Sequence, residues 1–203
     1  MAVIAIYNDF AAGGRELGRL LASELGYEYV DKSLFQKIAE DLHVSEGTLE
    51  SFEKSREYKI SNLFSNLFSK AYVQRIVGHD KGIIEEQEYQ NSLKSLILGV
   101  AQENDVVIIG RAAHYFLKDM DDCYRFRVIA PLQWRKKYAV EELGIAADRA
   151  ETTIERRDTN RIWFHRSVCG EGFDDPYIFH LTLNTGLIST ERAVAIMASI
   201  VKD

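Results

Sequence analysis

The sequence predicts one α/β domain over residues 1–203: three layers, with a five-stranded parallel sheet between helices and a helical insertion near 45–100. Three observations predict it. Short apolar runs alternate with segments of helical period along the chain. The runs are continuous rather than alternating, as in strands buried on both faces. The distance between the second and third runs far exceeds what a crossover helix needs.

Val3-Ile4-Ala5-Ile6-Tyr7 carries the first strand, expected over 2–7. Asn8-Asp9-Phe10-Ala11-Ala12-Gly13-Gly14-Arg15-Glu16 follows as a glycine-containing turn that opens a helix over about 14–25, with Leu17, Leu20, Leu21 and Leu25 on its apolar side. Strand two is expected at 27–30 and ends at Asp31, strand three at 105–109, strand four at 124–130 and strand five at 178–184. Strands one and three are the most apolar and should be central. Further helices are expected at about 32–42, 85–103, 131–142, 147–168 and 189–201. Pro131 suits a first helical turn, and Ser189 with Glu191 reads as a capped start. Ser45-Glu46-Gly47 opens a helix of the insertion, which is expected to lie over the sheet's carboxyl edge. Within it, Ser61-Asn62-Leu63-Phe64 repeats as Ser65-Asn66-Leu67-Phe68. That spacing puts both Leu-Phe pairs on one helical face, as a packing surface, a homodimer interface or a mobile lid.

The composition narrows the function. The hydrophobic fraction of 46% supports a sizeable core, and two prolines with thirteen glycines argue against a linker-rich chain. A net charge of −6 offers no general basic surface for nucleic acid. Positive charge is local, at Arg156-Arg157, Arg161 and Arg166. Cys123 and Cys169 are too few for a disulfide framework and lack metal-ligand spacing, so a reduced, cytoplasmic protein is expected. No signal peptide is indicated, and no apolar run reaches membrane-spanning length.

The turn at Gly13-Gly14 is the strongest chemical signal. A strand, a glycine turn and a helix start bring free backbone N–H groups to a phosphate, and glycine lets the backbone come close. Ala12, Gly13, Gly14, Arg15 and Glu16 are the expected phosphate-binding residues for ATP. Against the pattern G-x-x-x-x-G-K-[ST], Gly14 stands in the lysine position and Glu16 in the hydroxyl position. Arg15 is the candidate to supply the missing positive charge, since guanidinium pairs well with phosphate; otherwise it is a solvated helix residue. Glu16 suits a helix start and is a candidate contact for Mg²⁺, though it also repels phosphate; no residue is assigned as a metal ligand. The alternative is a tight turn with no ligand.

Two further positions lie where α/β proteins bind ligands, at the strands' carboxyl ends. Asp31 ends strand two, as a contact for an acceptor nucleotide or an Mg²⁺ water shell, or as a helix cap. Arg111, in Gly110-Arg111 after strand three, is placed for an acceptor phosphate or for a structural ion pair. His114 is read as structural. Arg157, Asp158 and Arg161 fall on one predicted helix within a lid-like segment, 144–175, with Arg157 and Arg161 on one face. Converging arginines stabilise the charge of a transferring phosphoryl group; the plainer reading is a solvated helix face. Arg157 and Arg161 are expected to act mainly in the transition state.

Taken in order, these pieces resemble the cytidylate kinase-like family, a branch of the P-loop nucleoside monophosphate kinases. The resemblance covers nearly the whole chain. It rests on Ala12-Gly13-Gly14-Arg15-Glu16-Leu17, Tyr29-Val30-Asp31 before Leu34-Phe35, and Ile109-Gly110-Arg111-Ala112-Ala113. It continues with Ala130-Pro131 before Arg135, Arg157-Asp158-Thr159-Asn160-Arg161, Leu183-Asn184-Thr185, and Ile188-Ser189 with Glu191. It implies a P-loop kinase fold and transfer of a phosphoryl group from ATP, with Mg²⁺, to a nucleoside monophosphate such as CMP or dCMP. By position, Arg157, Asp158 and Arg161 are then catalytic, and Asp31 and Arg111 face the acceptor. The chain departs from cytidylate kinases at Gly14 and Glu16, at Ala11 where its kin often have glycine, and at Ala112 where cytidylate kinases carry an acidic residue. Two other readings stay open: a kinase of another small molecule, and a nucleotide-binding sensor or scaffold with weak catalysis.

Overall fold

A computed structural model describes residues 2–31, 86–102 and 105–202. The strands are β1 (Val3–Asn8), β2 (Glu28–Val30), β3 (Val106–Ile109), β4 (Cys123–Ile129) and β5 (Leu181–Asn184). The helices are α1 (Gly14–Leu25), α2 (Glu86–Gln102), α3 (Ala113–Phe116), α4 (Leu132–Glu141), α5 (Ala150–Cys169) and α6 (Thr190–Lys202). Short 3-10 turns occupy Ala147–Arg149 and Pro176–Ile178.

The sheet has five strands in the order β2-β3-β1-β4-β5, and every neighbouring pair is parallel. The two most apolar strands, β1 and β3, are interior, as their composition predicts. The register pairs Ile6 with Ile109, Asn8 with Val128, and Ile129 with Asn184. All carboxyl ends therefore share one edge, which gathers the turn at 8–13, Asp31, Arg111 and Thr185.

Alternation along β1 separates two cores. Ile4 and Ile6 face α1 and α6, packing with Leu17, Leu21, Ala193 and Met197. Val3, Ala5 and Tyr7 face the other layer, with Leu93, Ile97 and Val100 of α2 and Val168 and Cys169 of α5. Both faces are covered, so β1 is apolar without a break. Gly18 marks the closest helix–sheet approach, since a Cβ there would lie 2.5 Å from Ile109 Cδ1.

The observed elements differ from expectation in small ways with clear causes. Helix α5 begins at Ala150 because Ala147–Arg149 forms the tighter turn. The four-residue helix α3 has too little length for a period to reveal it. Of the expected insertion, residues 86–100 belong to α2, which is packed on the sheet's face. The expected helix at 32–42, the start at Ser45 and the Leu-Phe repeat at 61–68 lie outside the described residues.

Candidate active site

The chain leaves β1 at Asn8 and reaches α1 through a loop that uses left-handed backbone twice. Ala11 has φ 60° and Gly13 has φ 74°. Gly14, the first residue of α1, is required for a different reason: a Cβ there would sit 2.5 Å from Asn8 Cβ. No side chain caps the helix start. The first-turn amides are thus presented at the sheet's carboxyl edge with the positive end of the α1 dipole, the arrangement that takes an anion. Behind the loop, the buried Thr185 hydroxyl donates to Ala12 O at 2.9 Å, tying the loop to the end of β5. Beside it, the stacked rings of Trp134 and Tyr138 lie near Gly13, and Tyr138 donates to Glu16 Oε2 at 3.2 Å.

The arginine-bearing helix meets the front of this loop. Asp158 Oδ1 accepts from Phe10 N at 3.2 Å, and its carboxylate pairs with both Arg135 and Arg161. Arg135 Nη1 also donates to Phe10 O at 3.3 Å. Arg161 Nη1 donates to Asn8 O at 2.6 Å and pairs with Asp9 at 3.0 Å. These four charged side chains are 13% to 19% exposed, so the network is largely withdrawn from water. Arg157 stays exposed, its guanidinium 5.7 Å over the Phe10 ring. Ala11 adds an apolar tie, packing with Ala139, Ala150 and Ile154.

On the other side of the loop, Asp31 is buried, 2% exposed, and accepts from the Tyr29 hydroxyl at 3.1 Å. Arg15 and Arg19 reach it at 4.0 and 3.9 Å. Arg15 thus leans toward the end of β2 while its head stays in water. Gly110, Arg111 and Ala112 are consecutive left-handed residues, with φ 72°, 56° and 58°. Non-glycine residues held there cost of order 1 kcal/mol or more each, and such strain gathers at ligand sites.

His114 is structural in its placement, as the sequence suggests. It is buried, bonds Phe173 O through Nε2 at 2.8 Å, and stacks on Tyr7 with centroids 4.6 Å apart. His165 is buried beside it, 5.5 Å between centroids, and bonds Arg161 O through Nδ1. Burial in this aromatic layer pushes His114 down to about 3 and His165 to about 4. Free histidine titrates near 6.5, so as pH falls the unfolded chain takes up protons first. The pair has no effect on stability above about pH 6.5 and removes stability progressively between there and about pH 3. Urea denaturation at pH 7.5 and 5 should show a loss of roughly 1–2 kcal/mol per histidine, and His165→Phe should about halve the difference.

The structure brings together Ala12, Gly13, Gly14, Arg157, Asp158 and Arg161, and places Arg15, Glu16, Asp31 and Arg111 along the same edge. Sequence reasoning gave no role to Asp9, to the Asn8 and Phe10 carbonyls, to Tyr7 or to His165, and placed Arg135 only through a motif. A carboxylate largely withdrawn from water in the turn between β1 and α1 is the signal that points to Asp9, since it calls for cations nearby. Among the described residues, no group of three or more His, Cys, Asp or Glu side chains is set to hold a metal ion. Mg²⁺ needs no such cage, because it keeps its waters and uses one or two carboxylates with substrate phosphates. Glu16, exposed in the first turn of α1, fits that limited role.

The strand order, with a glycine turn leading from β1 into α1 at the sheet's carboxyl edge, is that of the P-loop kinase class of α/β proteins. A family model described as the cytidylate kinase-like family matches residues 3–187, and the chain belongs to that family. It is 24% identical over 196 residues to a cytidylate kinase of Thermococcus kodakarensis, covering 96% of this chain and 85% of that protein. Among solved structures, an uncharacterized protein from Eubacterium ventriosum aligns with a TM-score of 0.70 at 16% identity, covering 100% and 99% of the two chains. A shikimate kinase from Bacteroides thetaiotaomicron gives 0.55 at 14% identity, with the same coverage. Another from Acinetobacter baumannii, in complex with shikimate, gives 0.51 at 11% identity, covering 100% and 93%. These likenesses show the fold. Among the described residues, no helix is long and apolar enough to cross a membrane.

Proposed function

We propose that the chain is an ATP-dependent phosphotransferase whose acceptor is a nucleoside monophosphate, of CMP or dCMP type, and that it works with Mg²⁺. One observation carries the reading: an uncapped helix start behind a glycine loop adjoins a cluster of arginines at the sheet's carboxyl edge. The amides of Gly13 to Glu16 hold the donor phosphates. An oxygen of the acceptor phosphate attacks the γ-phosphorus, the bond to the β,γ-bridging oxygen breaks, and ADP leaves. Charge spreads over the equatorial oxygens as this happens. Arg157, exposed above Phe10, reaches that charge, while Asp158 and Arg161 hold the loop that presents it. Glu16 is the residue that would hold Mg²⁺ through water, and the ion when bound would supply neutralisation of phosphate charge.

Asp31 and Arg111 stand at the neighbouring strand ends and take the acceptor. The left-handed backbone of Arg111 supports this role, since strain of that kind is retained where a ligand uses it. Replacing Arg111 with methionine is expected to raise the acceptor KM about 10- to 100-fold, the worth of a charge-assisted contact, with ATP affinity nearly intact. Equal loss of both affinities would assign Arg111 to structure instead.

The second reading, a nucleotide-binding protein with weak catalysis, draws on Gly14 standing where the loop lysine belongs. A coupled ADP-release assay with ATP, Mg²⁺ and a panel of CMP, dCMP, other monophosphates and small hydroxyl acceptors separates the two. Release stimulated by CMP or dCMP supports the proposal. Stimulation by a hydroxyl acceptor alone would shift the substrate class, and ATP binding without release by any acceptor would favour the sensor.

A further inference from the structure

The helix expected to act as a lid is built into the loop. Helix α5 is anchored at both ends: Ala150 and Ile154 pack with Ala11 of the loop, and Val168 and Cys169 join the core under the sheet. Between these anchors, Asp158 and Arg161 bond the backbone of Asn8 and Phe10, and Arg135 of α4 completes the contact. The Phe10 amide points to Asp158 and not toward a ligand. The Asn8 and Phe10 carbonyls, which would otherwise turn partial negative charge toward the site, are each capped by a guanidinium. Asp9 and Asp158 balance Arg135 and Arg161, so the network shapes the loop without adding net charge.

We infer that Arg135, Asp158 and Arg161 form a fixed buttress that holds the phosphate loop from outside and takes over, in this chain, the structural work of the missing loop lysine. Asp158 is then a positioning residue: it touches loop backbone and two guanidiniums. The anion-binding part of this inference rests on the proposed phosphate site; the buttress itself does not.

Physical reasoning separates this from a simple charge-balancing role. If Asp158 only neutralises, its removal frees two arginines and tightens anion binding. If it positions the loop, its removal weakens anion binding despite the gain in positive charge. The test is Asp158→Ala, read by hydrogen exchange at the Phe10 amide and by calorimetric titration with inorganic pyrophosphate. The buttress requires Phe10 exchange to rise about tenfold or more with the β1 amides unchanged, as expected for loss of one charge-assisted bond, and pyrophosphate affinity to fall about tenfold. Unchanged Phe10 exchange, or tighter pyrophosphate binding, overturns it. If wild type binds no pyrophosphate while Phe10 exchange still rises in the variant, the phosphate-site reading falls and the buttress stands. Should Asp158→Ala fail to fold, Arg135→Met serves: it keeps much of the apolar stem but removes the one nitrogen, Nη1, that bonds both Phe10 O and Asp158. A smaller rise in Phe10 exchange, about threefold, supports the buttress, and no rise overturns it.

Discussion

Replacing Arg157 with alanine is expected to cut turnover by about 10³-fold while ATP affinity and thermal stability stay near wild type. Arg157 is exposed, and its recorded contact is the face of Phe10. Its loss therefore removes charge from the transferring group and little from the fold. Arg161→Ala is expected to lower turnover at least as far, and to weaken ATP binding and stability as well. Arg161 holds Asn8 O, Asp9 and Asp158 at once. Without it, Asp9 loses its ion-pair partner, Asp158 keeps only Arg135, and one unbalanced negative charge is left at the loop, which costs both the loop's shape and its field. The pair of variants thus divides what the sequence grouped as one transition-state cluster. Steady-state kinetics with ATP calorimetry reads the split. Equal behaviour of the two variants would contradict the division of roles.

The second large effect is expected at Gly14. Alanine suits a first helical turn, and no backbone strain forbids it. The obstacle is Asn8, whose Cβ and Cγ lie 2.5 and 2.6 Å from where the new methyl would stand. Asn8 Cβ is fixed to the end of β1, so the loop itself must move. Overpacking of this kind costs about 1–3 kcal/mol, and here it displaces the amides that face the anion. Gly14→Ala should lower ATP affinity by at least tenfold and reduce the urea midpoint. Adding Asn8→Gly removes the opposing atoms and should recover most of the loss. Failure of the double variant to recover affinity would place the defect elsewhere than this contact.

The sheet was legible because its physics is local. Val3 to Tyr7 and Val106 to Ile109 are continuously apolar because both of their faces are covered, and that burial makes them interior strands. The glycine turn before α1 was legible because glycine is needed at Gly13 for φ and at Gly14 for space. The reach of Arg161 and Asp158 was not. Helix α5 is polar nearly all round, with its ends packed in different cores and a polar middle, so no apolar stripe tells which side faces the loop. His165 was hidden for the same reason. Arg15 was read as the replacement cation from position alone, but the buried carboxylate of Asp31 draws it toward β2, a contact between residues sixteen positions apart. Ala11 looked like a defect in a glycine pattern; the structure gives it a left-handed backbone and a buried methyl, so the strain of one is offset by the packing of the other.

The measurement that bears most directly on this account is calorimetric titration of the wild-type chain with ATP and Mg²⁺, paired with thermal unfolding at the same concentrations. A loop that has lost its lysine yet keeps its amides and its arginine network should bind one ATP with a dissociation constant below about 1 mM, the upper range for working substrates. At tenfold excess over that constant, the folded state should gain on the order of 1 kcal/mol. Absence of heat and of any rise in Tm at several millimolar ATP would contradict the phosphate site on which the proposed activity depends.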